Sequence, residues 1–260
     1  MLTTQTAVKP ASWAVRYNRG SMRTVAVRSF GLIGGIALLV SGASAQGQSP
    51  DSGRELPPAF PREGARQILA NDWGTVWDVT WKPGSATPMH RHTFDYVGVE
   101  LADTTFNVVA PNGERRTLPA KAGGAWFLRR GTTHIEEMPR DSAARHAIVI
   151  DLKDVASPSM ASPSGTPAIF PPGTAEKILE NARVVMWDYT WPAESTPTHF
   201  YDKNVFIVFV NGGELTSSVA GNPPQQLSVS AGQVLFRAGG RALSERSAKG
   251  NVRGIVIELK

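Results

Sequence analysis

The chain has 260 residues, 27 Lys and Arg against 22 Asp and Glu, a formal net charge of +5 and no cysteine. The missing cysteines exclude disulfides, thiolate nucleophiles and Cys-ligated zinc. The charge excess sits wholly in residues 1–45, which hold Lys9, Arg16, Arg19, Arg23 and Arg28 and no acid. Without those five, 22 bases face 22 acids, so the rest of the chain is neutral and carries no footprint for nucleic acid or an anionic membrane.

Residues 1–45 read as a secretory signal peptide. Arg23 and Arg28, the apolar run Gly31 to Val40, and Ala43-Ser44-Ala45 follow the charged, apolar, small-residue order, with cleavage expected between Ala45 and Gln46. Met22, at the head of the charged region, offers an alternative start. The apolar run falls short of the about 20 residues that span a bilayer. A periplasmic or secreted protein with no membrane contact after cleavage is the expectation.

Beyond the leader the chain repeats itself. "PPAFP" at Pro57–Pro61 returns as "PAIFP" at Pro167–Pro171, "WDVTW" at Trp77–Trp81 as "WDYTW" at Trp187–Trp191, and "IVIDLK" at Ile148–Lys153 as "IVIELK" at Ile255–Lys260. The units are 57–153 and 167–260. Between them, residues 154–166 are rich in Ser, Pro and Ala and read as a short flexible linker.

Within each unit the period is two. Trp77, Val79 and Trp81 alternate with Asp78 and Thr80, and "YVGVEL", "HAIVI", "VFIVFV" and "GIVIEL" are further β-rich runs between glycine turns. Ala65–Ala70 and Thr174–Asn181 are the only helix-like stretches. The expected fold class is all-β, two tandem antiparallel β-barrels.

The chemistry concentrates on histidine. His90 and His92 are spaced by two, so on a strand both project from one face. After the glycine turn at Gly123, a strand and a second turn in "GGAWFLRRGTTH" deliver His134. Three imidazoles from two separated strands suit zinc, copper, iron or nickel. Walker loops, dinucleotide glycine fingerprints and Gly-x-Ser-x-Gly elbows are absent, which disfavours nucleotide and serine-hydrolase chemistry.

This pattern resembles the cupin superfamily. Its first motif, a Gly then His-x-His then a Glu, is represented by Gly84, His90 and His92, and its second by Gly123, Gly131 and His134. The resemblance spans both units and implies a bicupin, two jelly-roll barrels with an interior divalent metal, Fe(II) favoured over Zn, Mn, Ni or Cu. Two departures stand out. Arg129 occupies the second-motif proline position, and the first-motif glutamate is replaced by Tyr96 and Val97, with Asp95 just before them.

Asp95 is a candidate fourth ligand only if a bulge turns it inward. Tyr96 keeps the phase of the histidines and reads as a hydrogen-bond donor to substrate or as barrel core. Glu136 reads as a metal-adjacent acid or base, or as a solvated strand end. Trp77, Trp81 and Trp126 line a pocket or fill a core, and His146 suits a surface or interdomain role.

In the second unit His90 corresponds to His199, His92 to Tyr201 and His134 to Leu243, so that site reads as lost. The resemblance implies a metal-dependent enzyme acting on a small molecule, most naturally an oxygenase, with isomerase or lyase chemistry also known among cupins. The competing reading is a non-catalytic binding or sensing protein. Edge strands of small barrels invite pairing between copies, so a homodimer is a further expectation.

Overall fold

The computed structural model describes residues 55–167, 170 and 175–260. The signal segment lies outside the described residues, as do most of the second "PAIFP" copy and the start of the second unit. Among the described residues every regular element is a strand, and no helix is long and apolar enough to cross a membrane.

The first unit runs β1 (Ala65–Ala70), β2 (Gly74–Trp81), β3 (His90–Arg91), β4 (Asp95–Glu100), β5 (Thr104–Val109), β6 (Arg115–Ala120), β7 (Ala125–Leu128), β8 (Thr133–Glu137) and β9 (Arg145–Leu152). They form a five-stranded sheet, β1-β2-β9-β4-β7, facing a four-stranded one, β3-β8-β5-β6. The second unit repeats this with β10 (Glu176–Glu180), β11 (Val184–Thr190), β12 (His199–Tyr201), β13 (Val205–Asn211), β14 (Gly213–Ser218), β15 (Gln225–Val229), β16 (Val234–Arg237), β17 (Arg241–Lys249) and β18 (Arg253–Leu259). Its sheets are β10-β11-β18-β13-β16 and β12-β17-β14-β15. All ladders between these strands are antiparallel, giving two tandem jelly-roll barrels.

The two stretches expected to be helical are the edge strands β1 and β10. Each slips register by one residue, between Gln67 and Leu69 and between Lys177 and Leu179. The bulge inserts Ile68 or Ile178 beside the next apolar residue. Apolar positions then fall three and four apart, which imitates a helix.

The central strands are apolar on both faces, and the structure shows why. In β9, Ala147 and Val149 point into the first barrel, whereas Ile148, Ile150 and Leu152 join a cluster with Met186, Phe206, Val208, Ile255 and Ile257 of the second. The two five-stranded sheets thus pack on each other. Fully burying each such side chain is worth about 1.5–3 kcal/mol, so separation would be costly. Trp73 stacks on Phe236, with ring centroids 5.1 Å apart, and adds an aromatic contact to the same seam.

The linker is not a free tether between such partners. Asp154 pairs with Arg130 and Arg183, the Met160 amide donates to the Asp202 carbonyl, and the Asn204 amide donates to Ser157 Oγ. Inside the first barrel, Gly98 is dictated by space. A Cβ there would lie 2.0 Å from the Trp126 ring.

Candidate metal centre

The pairing of β3 with β8 sets His90 directly opposite His134. Cross-strand neighbours of this kind have Cβ atoms about 4.5–5.5 Å apart, so two imidazoles meet without any loop closure. His92 lies just beyond β3, its amide donating to the Thr132 carbonyl and its carbonyl accepting from Gly131. Those bonds continue the ladder and turn His92 to the face of His90. Gly131, at φ +81°, makes the turn into β8. Where the motif has proline, the Arg129 carbonyl closes the turn by accepting from the Thr132 amide and hydroxyl.

The three rings form a triangle. Centroids are 4.7 Å apart for His90 and His134, 5.1 Å for His90 and His92, and 5.2 Å for His92 and His134. One nitrogen from each lies within 4.8 Å of the others. All three residues are buried, at 2%, 4% and 4% exposure. His90 Nδ1 donates to the Pro88 carbonyl at 2.9 Å, which leaves its Nε2 as a lone pair.

Neither nitrogen of His92 or His134 has a partner, nor does His90 Nε2. Unpaired buried polar atoms are costly, and so many at one point call for a common partner. Burial lowers the affinity of each ring for a proton, to about 2 for His92 and about 4 for His134. The imidazoles are therefore neutral, the form that binds a metal. The donor set fits one divalent transition metal, without choosing among iron, zinc, nickel and copper.

Tyr96 lies flat on His92, ring centroids 3.6 Å apart and planes 3° apart. Its hydroxyl is buried without a partner, and burial raises its pKa well above the ordinary value. Phe60 and Trp77 stack at 5.0 Å beside His92, and Trp126 meets Tyr96 edge-on. Trp77, Trp81 and Trp126 all face the barrel interior, each indole donating to a carboxylate: Asp151, Glu136 and Glu100.

Asp95 is not with the histidines. Its Oδ1 accepts from the Arg130 amide at 2.8 Å, and its Oδ2 stands 3.6 Å from Arg183 of the second unit. The ladder at β4 runs regularly, without the bulge that ligation needed. Asn204, its aligned counterpart, anchors a turn in the same way by accepting from the Gly239 amide.

Glu136 is neither a solvated strand end nor a free acid or base. Its carboxylate is buried and accepts from Arg145 Nη1 at 2.8 Å, Arg62 Nη2 at 3.0 Å and Trp81 Nε1 at 3.0 Å. Burial alone would raise its pKa, but Arg145, the histidines and Arg62 hold it far below the carboxylate range. Arg145 also grips Glu100 with Nη2 at 2.6 Å, both groups almost wholly buried. Burial works against that charge, and the two glutamates more than restore it.

The sequence reading missed Glu100, Arg145 and Arg62. The first two were legible by phase, since Glu100 follows Tyr96 and Gly98 inward, and Arg145 precedes Ala147 and Val149. No pattern pointed to Arg62. His146 bonds Asp78 at 2.7 Å, away from the histidine triangle.

In the second barrel the same ladder position pairs His199 with Leu243. Tyr201 takes the place of His92 and donates to Glu245 at 3.2 Å, while Phe170 stacks on His199 and lies tilted against Tyr201. Among the described residues no second cluster of metal-ligating side chains forms.

No family model matches the chain. The beta-alanine degradation protein BauB of Pseudomonas aeruginosa is 35% identical over 68 residues, 26% of this chain and 64% of that protein. The match thus spans less than two thirds of the relative's length. By structure, a point mutant of Bacillus subtilis oxalate decarboxylase aligns over 76% of this chain and 74% of its own, at TM-score 0.51 and 12% identity. Lactobacillus farciminis oxalate decarboxylase in its formate complex aligns over 77% and 82%, at TM-score 0.51 and 12% identity. Identities this low establish a common tandem-barrel fold and leave the activity open.

Proposed function

We propose that this chain of two tandem barrels is a cupin and acts as an exported metal-dependent oxygenase of a small molecule. It holds one divalent transition metal, iron(II) by preference, at His90, His92 and His134. What carries this reading is three neutral buried imidazoles converging with free nitrogens and no carboxylate among them. Three protein ligands leave coordination positions open, as catalytic sites do and closed structural sites do not. When bound, such a metal supplies Lewis acidity and activates oxygen.

The chain's own residues prepare the place. The Pro88 carbonyl fixes the tautomer of His90, and the Tyr96 ring holds the plane of His92. Phe60, Trp77 and Trp126 exclude water from the histidine end of the barrel. Glu136 stays ionised and keeps Arg62 and Arg145 in position.

A second reading, a non-catalytic binding or sensing protein, is favoured by one observation. With Glu136 fully paired, Tyr96 is the only one of the two proposed proton-handling residues that is free. The test is metal analysis of native protein beside His134→Ala, followed by oxygen uptake with catechols, diketones and thiols. Uptake that disappears in the variant supports the oxygenase. Stoichiometric metal with no uptake across the panel favours the binding protein, and equal metal in both proteins overturns the site. Export is checked separately, by a mature N-terminus at Gln46 in the extracytoplasmic fraction.

A further inference from the structure

The first "PPAFP" copy has no part in the metal reading, yet it forms a strap over the histidine end of the first barrel. The Pro57 carbonyl accepts from the Arg91 amide at 3.0 Å, and Pro58 bridges to Arg91. Phe60 then lies against Trp77, 6.3 Å from the His92 ring. Arg62 enters the barrel, its guanidinium 4.8 Å from the Trp81 ring and bonded to Glu136.

Besides the histidine nitrogens, two donors at this end of the barrel are left over. Arg62 Nε is buried without a partner, and so is the hydroxyl of Tyr96, a residue only 1% exposed. Leaving a buried donor unmade is expensive, so each calls for an acceptor. The interior charges indicate what kind. Glu100 and Glu136 are matched by Arg145 and Arg62, and the histidines are neutral. Of the interior carboxylates only Asp151, held by the Trp77 indole, lacks a cationic partner, so a divalent ion there keeps at least one positive charge unbalanced.

We propose that the strap is the substrate-recognition element of the first barrel and selects a small anion, a carboxylate or an enolate. Its oxygens accept from Arg62 Nε and the Tyr96 hydroxyl, and its charge offsets that of the ion. The proposal rests on the metal reading above. The second barrel supplies the contrast: Phe170, the counterpart of Phe60, has its ring centroid 3.9 Å from that of Tyr201, and the Tyr201 hydroxyl is already given to Glu245.

The test loads the full chain with cobalt(II) and follows its visible spectrum while titrating acetate or the neutral isostere acetamide. Tyr96→Phe removes only the hydroxyl. Arg62→Lys keeps the charge and a partner for Glu136 but loses the free Nε–H of the planar fork. Acetate is expected to bind at least about tenfold tighter than acetamide, and each variant to lose about tenfold for acetate alone. Wild-type protein that takes up cobalt but binds both probes alike overturns the proposal and leaves the metal site standing. So do variants that bind acetate as wild type does. Cobalt uptake by His134→Ala equal to wild type overturns the metal reading and the proposal together.

Discussion

Where the first barrel sets His90 against His134, the second sets His199 against Leu243, in the same ladder register. Around that position much is identical. Trp81 donates to Glu136 as Trp191 does to Glu245, and Thr87 and Thr196 each accept from the amide of the following glutamate position. Trp77 bonds Asp151 as Trp187 bonds Glu258. The interiors diverge in charge. Glu100 and Arg145 correspond to Phe209 and Val252, while Arg237 stands where Leu128 does and answers Glu245. A residue that does the same work in both barrels belongs to the frame. That rule assigns Glu136 and Asp95 to architecture and leaves the histidines, Tyr96 and Arg62 to chemistry.

The largest expected effect comes from erasing the difference. His134→Leu installs the second barrel's residue in the first and should reduce bound metal from about one equivalent to near zero, because two imidazoles are too few for a firm site. Elemental analysis against an unchanged circular dichroism spectrum checks it. The reciprocal change, Tyr201→His with Leu243→His, should raise metal content toward a second equivalent. No gain would mean that Phe170, packed on His199, has closed the space as well as the ligand set.

Next in size is the charge cluster. Arg145→Met leaves Glu100 buried without a counter-charge, held only by the Trp126 indole, and should cost about 3–5 kcal/mol in denaturant unfolding. Arg145→Val combined with Glu100→Phe imports the second barrel's pair and should restore a good part of that loss. A single variant as stable as wild type would show that the cluster is solvated, contrary to its burial.

The sequence carried much of this and missed the rest for identifiable reasons. Period-two alternation and the repeat gave the all-β class, and the histidine spacing pointed to the triangle. Both depend on neighbours along the chain. The bulges in β1 and β10 disguised strands as helix turns, because a one-residue slip changes the spacing of Ala65, Ile68 and Leu69. The doubly apolar strands announced burial on both faces without naming the partner, which is the other barrel. Arg62 reaches Glu136 across 74 positions, a contact that no local pattern encodes.

A smaller, pH-dependent effect is expected at Asp151. Burial raises its pKa from 3.8 to about 6, although the Trp77 indole opposes the shift. The folded chain therefore holds this proton up to about pH 6, whereas the unfolded chain releases it near pH 4. Stability from this group is greatest below the unfolded value and is lost as pH rises through the folded one. Asp151→Asn, which can still accept from Trp77, should be more stable than wild type above pH 6 by about 1 kcal/mol, after discounting for residual solvent contact. Below pH 4 the advantage should vanish. Melting curves at pH 8 and pH 4 decide it, and an advantage equal at both would exclude ionisation as the cause.

The smallest expected effect is the sharpest test of the comparison. Asp95 is the one carboxylate close to the first motif's missing glutamate, so a live metal role for it would break the rule that shared work means frame. Its aligned partner is already an amide: Asn204 accepts from Gly239 at 2.9 Å as Asp95 accepts from Arg130 at 2.8 Å. Asp95→Asn keeps that acceptor and forfeits only the long, partly exposed pairing with Arg183. The expected cost is under about 1 kcal/mol, with metal content and its pH dependence unchanged. A drop in bound metal would mean that this side chain swings to the ion, and that the first barrel completes its site with a residue whose counterpart in the second only ties down a turn.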